Sequence, residues 1–277
     1  MLVTNRFLFT LLVLFSCASP HLMASPHSAL TDRVFEKSGL STLVKEFPAM
    51  IKEGMKASLQ QHGEHSITDI NRLESIIDSS VDTEKMSTDI RSHLAKGLND
   101  QELTRVLQWF ESPLGSKVVK LEAAASSADS FQKMSEQALS LQKKFRGTPR
   151  EKLFNKFDRA TRATEAGLET AMAVQRALVA EFTRGTNIDG DYNQLLELVE
   201  ANRFMTRGVV GQQVFTGYLY TYQTLGVEEI NDYIRFAETP SGSRFFRVAN
   251  TAIQKALLAP SRAIGKKLFD VIGKKPD

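Results

Sequence analysis

Residues 98–125 read LNDQELTRVLQWFESPLGSKVVKLEAAA, and residues 225–252 read LGVEEINDYIRFAETPSGSRFFRVANTA. Setting Pro113 on Pro240 gives an offset of 127 residues. The same offset pairs Glu102 with Glu229, Leu107 with Ile234, Trp109 with Phe236, Ser112 with Thr239, Gly115 with Gly242 and Lys117 with Arg244. Agreement at this many positions reads as one unit written twice.

Within the first copy, Asn99 or Asp100 is a helix cap, and Leu103, Val106, Leu107 and Phe110 recur at helical spacing on one face. Ser112-Pro113 then reads as an N-cap followed by proline at the first position of the next helix. The two helices therefore meet at a tight corner. Gly115 falls in the first turn beyond it, where a missing side chain lets a backbone or the Trp109 ring approach. Phe236, Thr239, Pro240 and Gly242 take the same roles in the second copy.

Working outward, apolar residues from Leu30 to Met55 recur every three or four positions, with Pro48 as a kink or a first-turn residue, and the run stops near Gln61-His62-Gly63. Helices carrying Ile70 to Ile77 and Met86 to Leu94 follow, the second closed at Lys96-Gly97. Beyond Pro113 a broken helical pattern reaches Phe145, and Gly147-Thr148-Pro149 is the natural boundary. Ala166-Gly167-Leu168 answers Ser38-Gly39-Leu40 at an offset of 128. After a break at residues 185–191, one long helix is expected from Tyr192 to Leu225, then the second corner and a terminal helix reaching Ile272, broken at Pro260. The expected organisation is all-α: a signal peptide over residues 1–24, helical repeats over 28–147 and 150–260, and a basic amphipathic tail over 261–277.

The address is written at the start. Arg6, the apolar run from Phe7 to Phe15 and Leu22-Met23-Ala24 before Ser25 have the layout of a secretory signal, too short to span a bilayer. The only cysteine, Cys17, sits in L-F-S-C, so a lipoprotein anchored through Cys17 is the alternative to plain cleavage. The expected compartment is the bacterial periplasm. With no other thiol, an exported chain has neither an internal disulfide nor a thiolate metal site.

Across the 277 residues, 35 Lys and Arg face 32 Asp and Glu, a formal charge of +3 that provides no strong field for nucleic acid. The basic excess gathers at Arg262, Lys266, Lys267, Lys274 and Lys275, which leaves peripheral membrane contact open beside ordinary helix packing.

Catalytic and metal patterns are thin. Asp189 to Glu200 places oxygen ligands at EF-hand spacing, but Gln194 stands where the loop needs glycine, and helix capping explains the acids as well. His62, His65 and His93 lack a completing ligand. Gly115-Ser116-Lys117 and Gly242-Ser243-Arg244 offer an anion backbone N–H groups and a cation at a helix start. No nucleophile elbow or metalloprotease pair occurs, so an enzyme is not expected, and neither is a cofactor or metal. The densest aromatic run, Phe215, Tyr218 and Tyr222 on neighbouring faces of one helix, either lines an apolar pocket or packs in the core.

The paired corners, an aromatic-x-E-[ST]-P-x-G-S-[KR] pattern after an acidic E-[LI] step, resemble exported bacterial proteins grouped only as a domain of unknown function, whose hallmark is an F-x-x-[ST]-x-x-G helix corner. That resemblance implies an all-helical periplasmic module and carries no activity or ligand with it. The functional expectation is a non-enzymatic protein that binds a partner protein or cell-envelope component. A carrier of an apolar small molecule or lipid between the two halves is the alternative, and an envelope hydrolase the third choice.

Overall fold

The computed structural model describes residues 25–62, 67–185 and 191–272; the leader with Cys17, His65, Asp189 and the last five residues lie outside them. Every element among the described residues is a helix: α1 (Pro26–Lys37), α2 (Leu40–His62), α3 (Ile67–Asp78), α4 (Thr83–Gly97), α5 (Asp100–Phe110), α6 (Pro113–Ala125), α7 (Ala128–Phe145), α8 (Pro149–Thr161), α9 (Ala163–Gly185), α10 (Asp191–Ala201), α11 (Arg203–Thr221), α12 (Val227–Glu238) and α13 (Pro240–Ile272). None of them is long and apolar enough to cross a membrane.

α2 and α9 both have 23 residues, and α5 and α12 have 11 and 12. The span Pro113–Phe145 holds α6 and α7, and Pro240–Ile272 is the 33-residue α13, ending 127 residues later. A local cause explains why one is broken and the other is not. Ser126 closes α6, and the Ser127 hydroxyl accepts the Ser130 N–H to open α7. At the corresponding positions of α13 stand Ile253 and Gln254, which offer the backbone no such alternative, and the helix runs on.

Sequence patterning misplaced three features. The first is the partner of Gly39. Gly39 forms the turn between α1 and α2 at φ +79°, but Gly167 lies inside α9, where a Cβ would press on Val210. The equivalent turn falls at Arg162, held at φ 59° between α8 and α9, with the Asp158 carboxylate accepting the Thr164 N–H at 2.7 Å. Starting from α2 and α9, the offset there is 163 − 40 = 123 residues.

The second is the long helix after residue 191. It breaks at Asn202 into α10 and α11, and α11 stops at Thr221 with Tyr222 as its C-cap.

The third is Pro260, which the continuous α13 passes through. Proline removes one hydrogen bond there, and the neighbouring Ser261 hydroxyl donates back to the Leu257 carbonyl at 2.7 Å. The tail is therefore no separate segment up to Leu268. Ser261 and Ile264 are buried, Gly265 lies against the Leu178 backbone, and Lys267 donates to the Ser79 carbonyl from 2.8 Å.

One apolar core runs through both halves. Val34, Leu94, Leu103, Val106 and Phe110 belong to the same cluster as Phe157, Leu219, Ile230, Ile234 and Phe245. The helices exchange partners across it: α4 packs on α13, while α11 packs on α6 and α7. A smaller cluster of Ile76, Ile77 and Ile264 sits under α2 and α9. The two halves share this cluster, and the cavity lined by Glu122 lies at their junction.

Candidate functional site

Both corners are built by identical bonding. The Ser112 hydroxyl accepts the Gly115 N–H at 3.0 Å and donates to the Trp109 carbonyl at 2.6 Å. Thr239 accepts from Gly242 at 3.0 Å and donates to the Phe236 carbonyl at 2.7 Å. Pro113 and Pro240 each occupy the first helical position, as expected. A Cβ on Gly115 would overlap the Trp109 carbonyl oxygen, and one on Gly242 the Phe236 carbonyl. Close backbone approach is the reason for both glycines.

The cations beside these glycines are engaged by the opposite half. Lys117 pairs with Glu229 at 2.7 Å, and Arg244 donates to the Gly97 carbonyl at 2.9 Å. Lys117 and the Gly226 N–H hold the Glu229 carboxyl below its usual range. An anion at these helix starts would have to displace those partners.

The aromatic run is packed. Phe215 meets the Phe154 ring edge-on at 4.8 Å, Tyr218 is 2% exposed, and Tyr222 is 6% exposed. Tyr218 donates to the Arg150 carbonyl at 2.8 Å; burial pushes its hydroxyl up to about 12. The Arg150 guanidinium closes the end of α11 by donating to the Tyr222 and Leu225 carbonyls. None of these three aromatic residues lines the cavity described below.

Tyr222 leads instead to a residue that patterning missed. Its hydroxyl and that of Tyr233 both donate to Oε1 of Glu122, at 2.6 and 2.9 Å. Burial raises the Glu122 carboxyl above its ordinary value, the two hydroxyls offsetting part of the effect. The same burial, with the nearby carboxyl, holds both tyrosine hydroxyls well above their usual range, so they stay protonated donors. The only sequence signal was a lone acid in an otherwise apolar stretch, KLEAAA, where its counterpart is Ala249.

Glu122 lines a partly open cavity of about 180 Å³ between the halves. The first half contributes the turn at Ser38 to Leu40, Leu43, Phe110 and Val119; the second contributes Tyr233, Phe245, Phe246, Ala249 and Ile253. The walls are mainly hydrocarbon, and no lysine, arginine or histidine is among them.

A second feature lies on the surface. At the α10–α11 turn, Leu198 is 58% exposed, Phe204 86%, Met205 69% and Val209 58%. Met205 and Val209 are one helical turn apart and share a face. Beside them Arg207 pairs with Glu165 at 2.8 Å, Arg176 with Glu200 at 2.6 Å, and Arg203 with Glu169. Glu200, a proposed calcium ligand, is thus occupied by an arginine. His93 contacts the Asp89 carbonyl at 2.9 Å, and the His62 side chain lies outside the described residues. Among the described residues no group of three potential metal ligands occurs.

Residues 84–144, from α4 into α7 and including the first corner, match a family described as "Uncharacterized protein conserved in bacteria (DUF2059)". No curated protein and no solved structure matches the chain.

Proposed function

We propose that this chain is a non-catalytic helical binding protein of the bacterial cell envelope, exported by its N-terminal signal, that docks a partner protein on the α10–α11 face. The carrying observation is the exposed apolar set of Phe204, Met205 and Val209, since contiguous exposed apolar surface on a folded chain marks interaction sites. Its charge environment favours protein over anionic lipid or nucleic acid. The flanking arginines at 176, 203 and 207 are each neutralised by a glutamate of the same chain, leaving no cationic field to attract phosphate. A binding role also agrees with the ionisable groups at the junction: Tyr222 and Tyr233 both donate to one oxygen of Glu122 and are held in their donor form.

The test places a photo-reactive phenylalanine analogue at position 204 in cells, with the exposed Gln101 position as control. A discrete crosslinked protein from position 204 alone, lost when Met205→Glu and Val209→Glu are added, is the expected result. Equal products from both positions, or none from 204, would remove the basis for this docking face. Mass spectrometry of the same protein measures whether the chain begins near Ser25 or carries an acylated Cys17.

A further inference from the structure

The cavity between the halves is a site of different character from the α10–α11 face, and it stands or falls separately. Its size decides what it holds. At about 180 Å³ it exceeds the roughly 150 Å³ apolar cavity that accommodates benzene. Hydrocarbon walls make it a poor host for a cluster of waters, which need several polar partners each.

Its one acidic side chain is Glu122, beside the polar Ser38, Ser126, Tyr233 and Asn250. Glu122 Oε1 receives both tyrosine hydroxyls, while Oε2 accepts no hydrogen bond among the described residues. Glu122 is half-buried and lines the partly open cavity. The Nδ2 of the lining Asn250 is already engaged, donating to the Thr161 carbonyl at 3.2 Å. A carboxyl with a free oxygen, two neutral donors on the other oxygen and no cation in the wall is an acceptor lacking its counterpart.

We propose that this cavity binds a small amphipathic primary amine, its ammonium donating to Glu122 Oε2 and its hydrocarbon lying against Leu40, Phe245 and Ile253. An ammonium supplies both the missing donor and the missing positive charge. A carboxylate ligand would face Glu122 with like charge, and a purely apolar one would leave Oε2 unmet. Six to eight carbons, as a short chain or single ring, is about what the volume takes.

Isothermal titration calorimetry of the protein with hexylamine, 1-hexanol, hexanoate and trimethylhexylammonium tests this, and the wild-type series needs no variant. Hexylamine should bind one to one. Hexanol should bind at least tenfold more weakly, and the quaternary ion, which lacks N–H donors, more weakly than hexylamine. Hexanoate should give no saturable heat. Glu122→Gln keeps an oxygen for both tyrosine hydroxyls and should lower hexylamine affinity at least tenfold while its circular dichroism stays that of the parent. Equal binding of hexylamine and hexanoate, unchanged affinity in folded Glu122→Gln, or no saturable hexylamine binding would overturn the assignment.

Discussion

Trp109 and Phe236, 127 residues apart and each three residues ahead of the residue that caps the next helix, stack on one another with ring centroids 4.2 Å apart and planes 9° from parallel. The stack ties α5 to α12. Tyr233 stacks on Trp109 at 5.1 Å, and Phe110 meets Phe236 edge-on at 5.8 Å. Phe236 is 7% exposed, so Phe236→Ala should cost about 3–5 kcal/mol of stability in urea unfolding. A double-mutant cycle with Trp109→Ala should give a coupling of about 0.5–1.5 kcal/mol, and a coupling of zero would deny the stack any role in joining the halves.

The corner glycines differ from glycines elsewhere in the chain. Gly115→Ala and Gly242→Ala each drive a methyl into a backbone carbonyl and should destabilise by about 1–3 kcal/mol; leucine should be worse. Gly208, inside α11, has open space where its Cβ would stand, so Gly208→Ala should raise stability by about 0.5–1 kcal/mol. Thermal unfolding of the three alanine variants checks the contrast, and a common sign would contradict it.

Arg162 is the one non-glycine residue at positive φ among the described residues. A side chain in that left-handed conformation costs about 1 kcal/mol or more. Arg162→Gly should therefore stabilise the protein by up to about 1 kcal/mol, measured as an increased denaturation midpoint. A lower midpoint would mean that the side chain contributes more than its backbone strain costs.

Glu122 makes stability depend on pH in a definite direction. Its folded-state value lies above the ordinary 4.5, so its contribution is fully present below about pH 4.5 and is lost as pH rises through the folded value. Glu122→Gln removes that dependence. The variant's unfolding temperature, compared with the parent's at the same pH, should therefore improve from pH 4 to pH 7. A difference that stays flat or falls with pH would place the carboxyl in a better solvated setting.

Ending the chain at Ala259 removes Ser261, Ile264 and Gly265 from their seats on α9 and uncovers Ile76 and Ile77. The truncated protein should lose about 2–5 kcal/mol, and binding to anionic vesicles should be absent before and after truncation. Unchanged stability with loss of salt-sensitive vesicle binding would instead assign these residues to a membrane surface.

The sequence by itself determined the local structure: helical period from Leu30 onward, capping at Asn99, Ser112 and Thr239, proline at the helix starts, and close packing at Gly115 and Gly242. Each of these depends on residues within one or two turns, where spacing and side-chain chemistry are sufficient. The serines at 126 and 127, against Ile253 and Gln254, even account for why α6 and α7 are two helices and α13 is one. Tertiary structure alone decided the rest. Glu122 looks like a solvated helix acid until α11 and α12, 100 and 111 residues away, bring Tyr222 and Tyr233 onto it. The aromatic face of Phe215, Tyr218 and Tyr222 is equally suited to a pocket or to a core, and Phe154, Phe157 and Arg150 from α8 fill it. Phe204 and Met205 have the composition of buried residues, and among the described residues no helix covers them. Burial is a property of what packs on a surface, and those partners lie too far along the chain for periodicity to reveal.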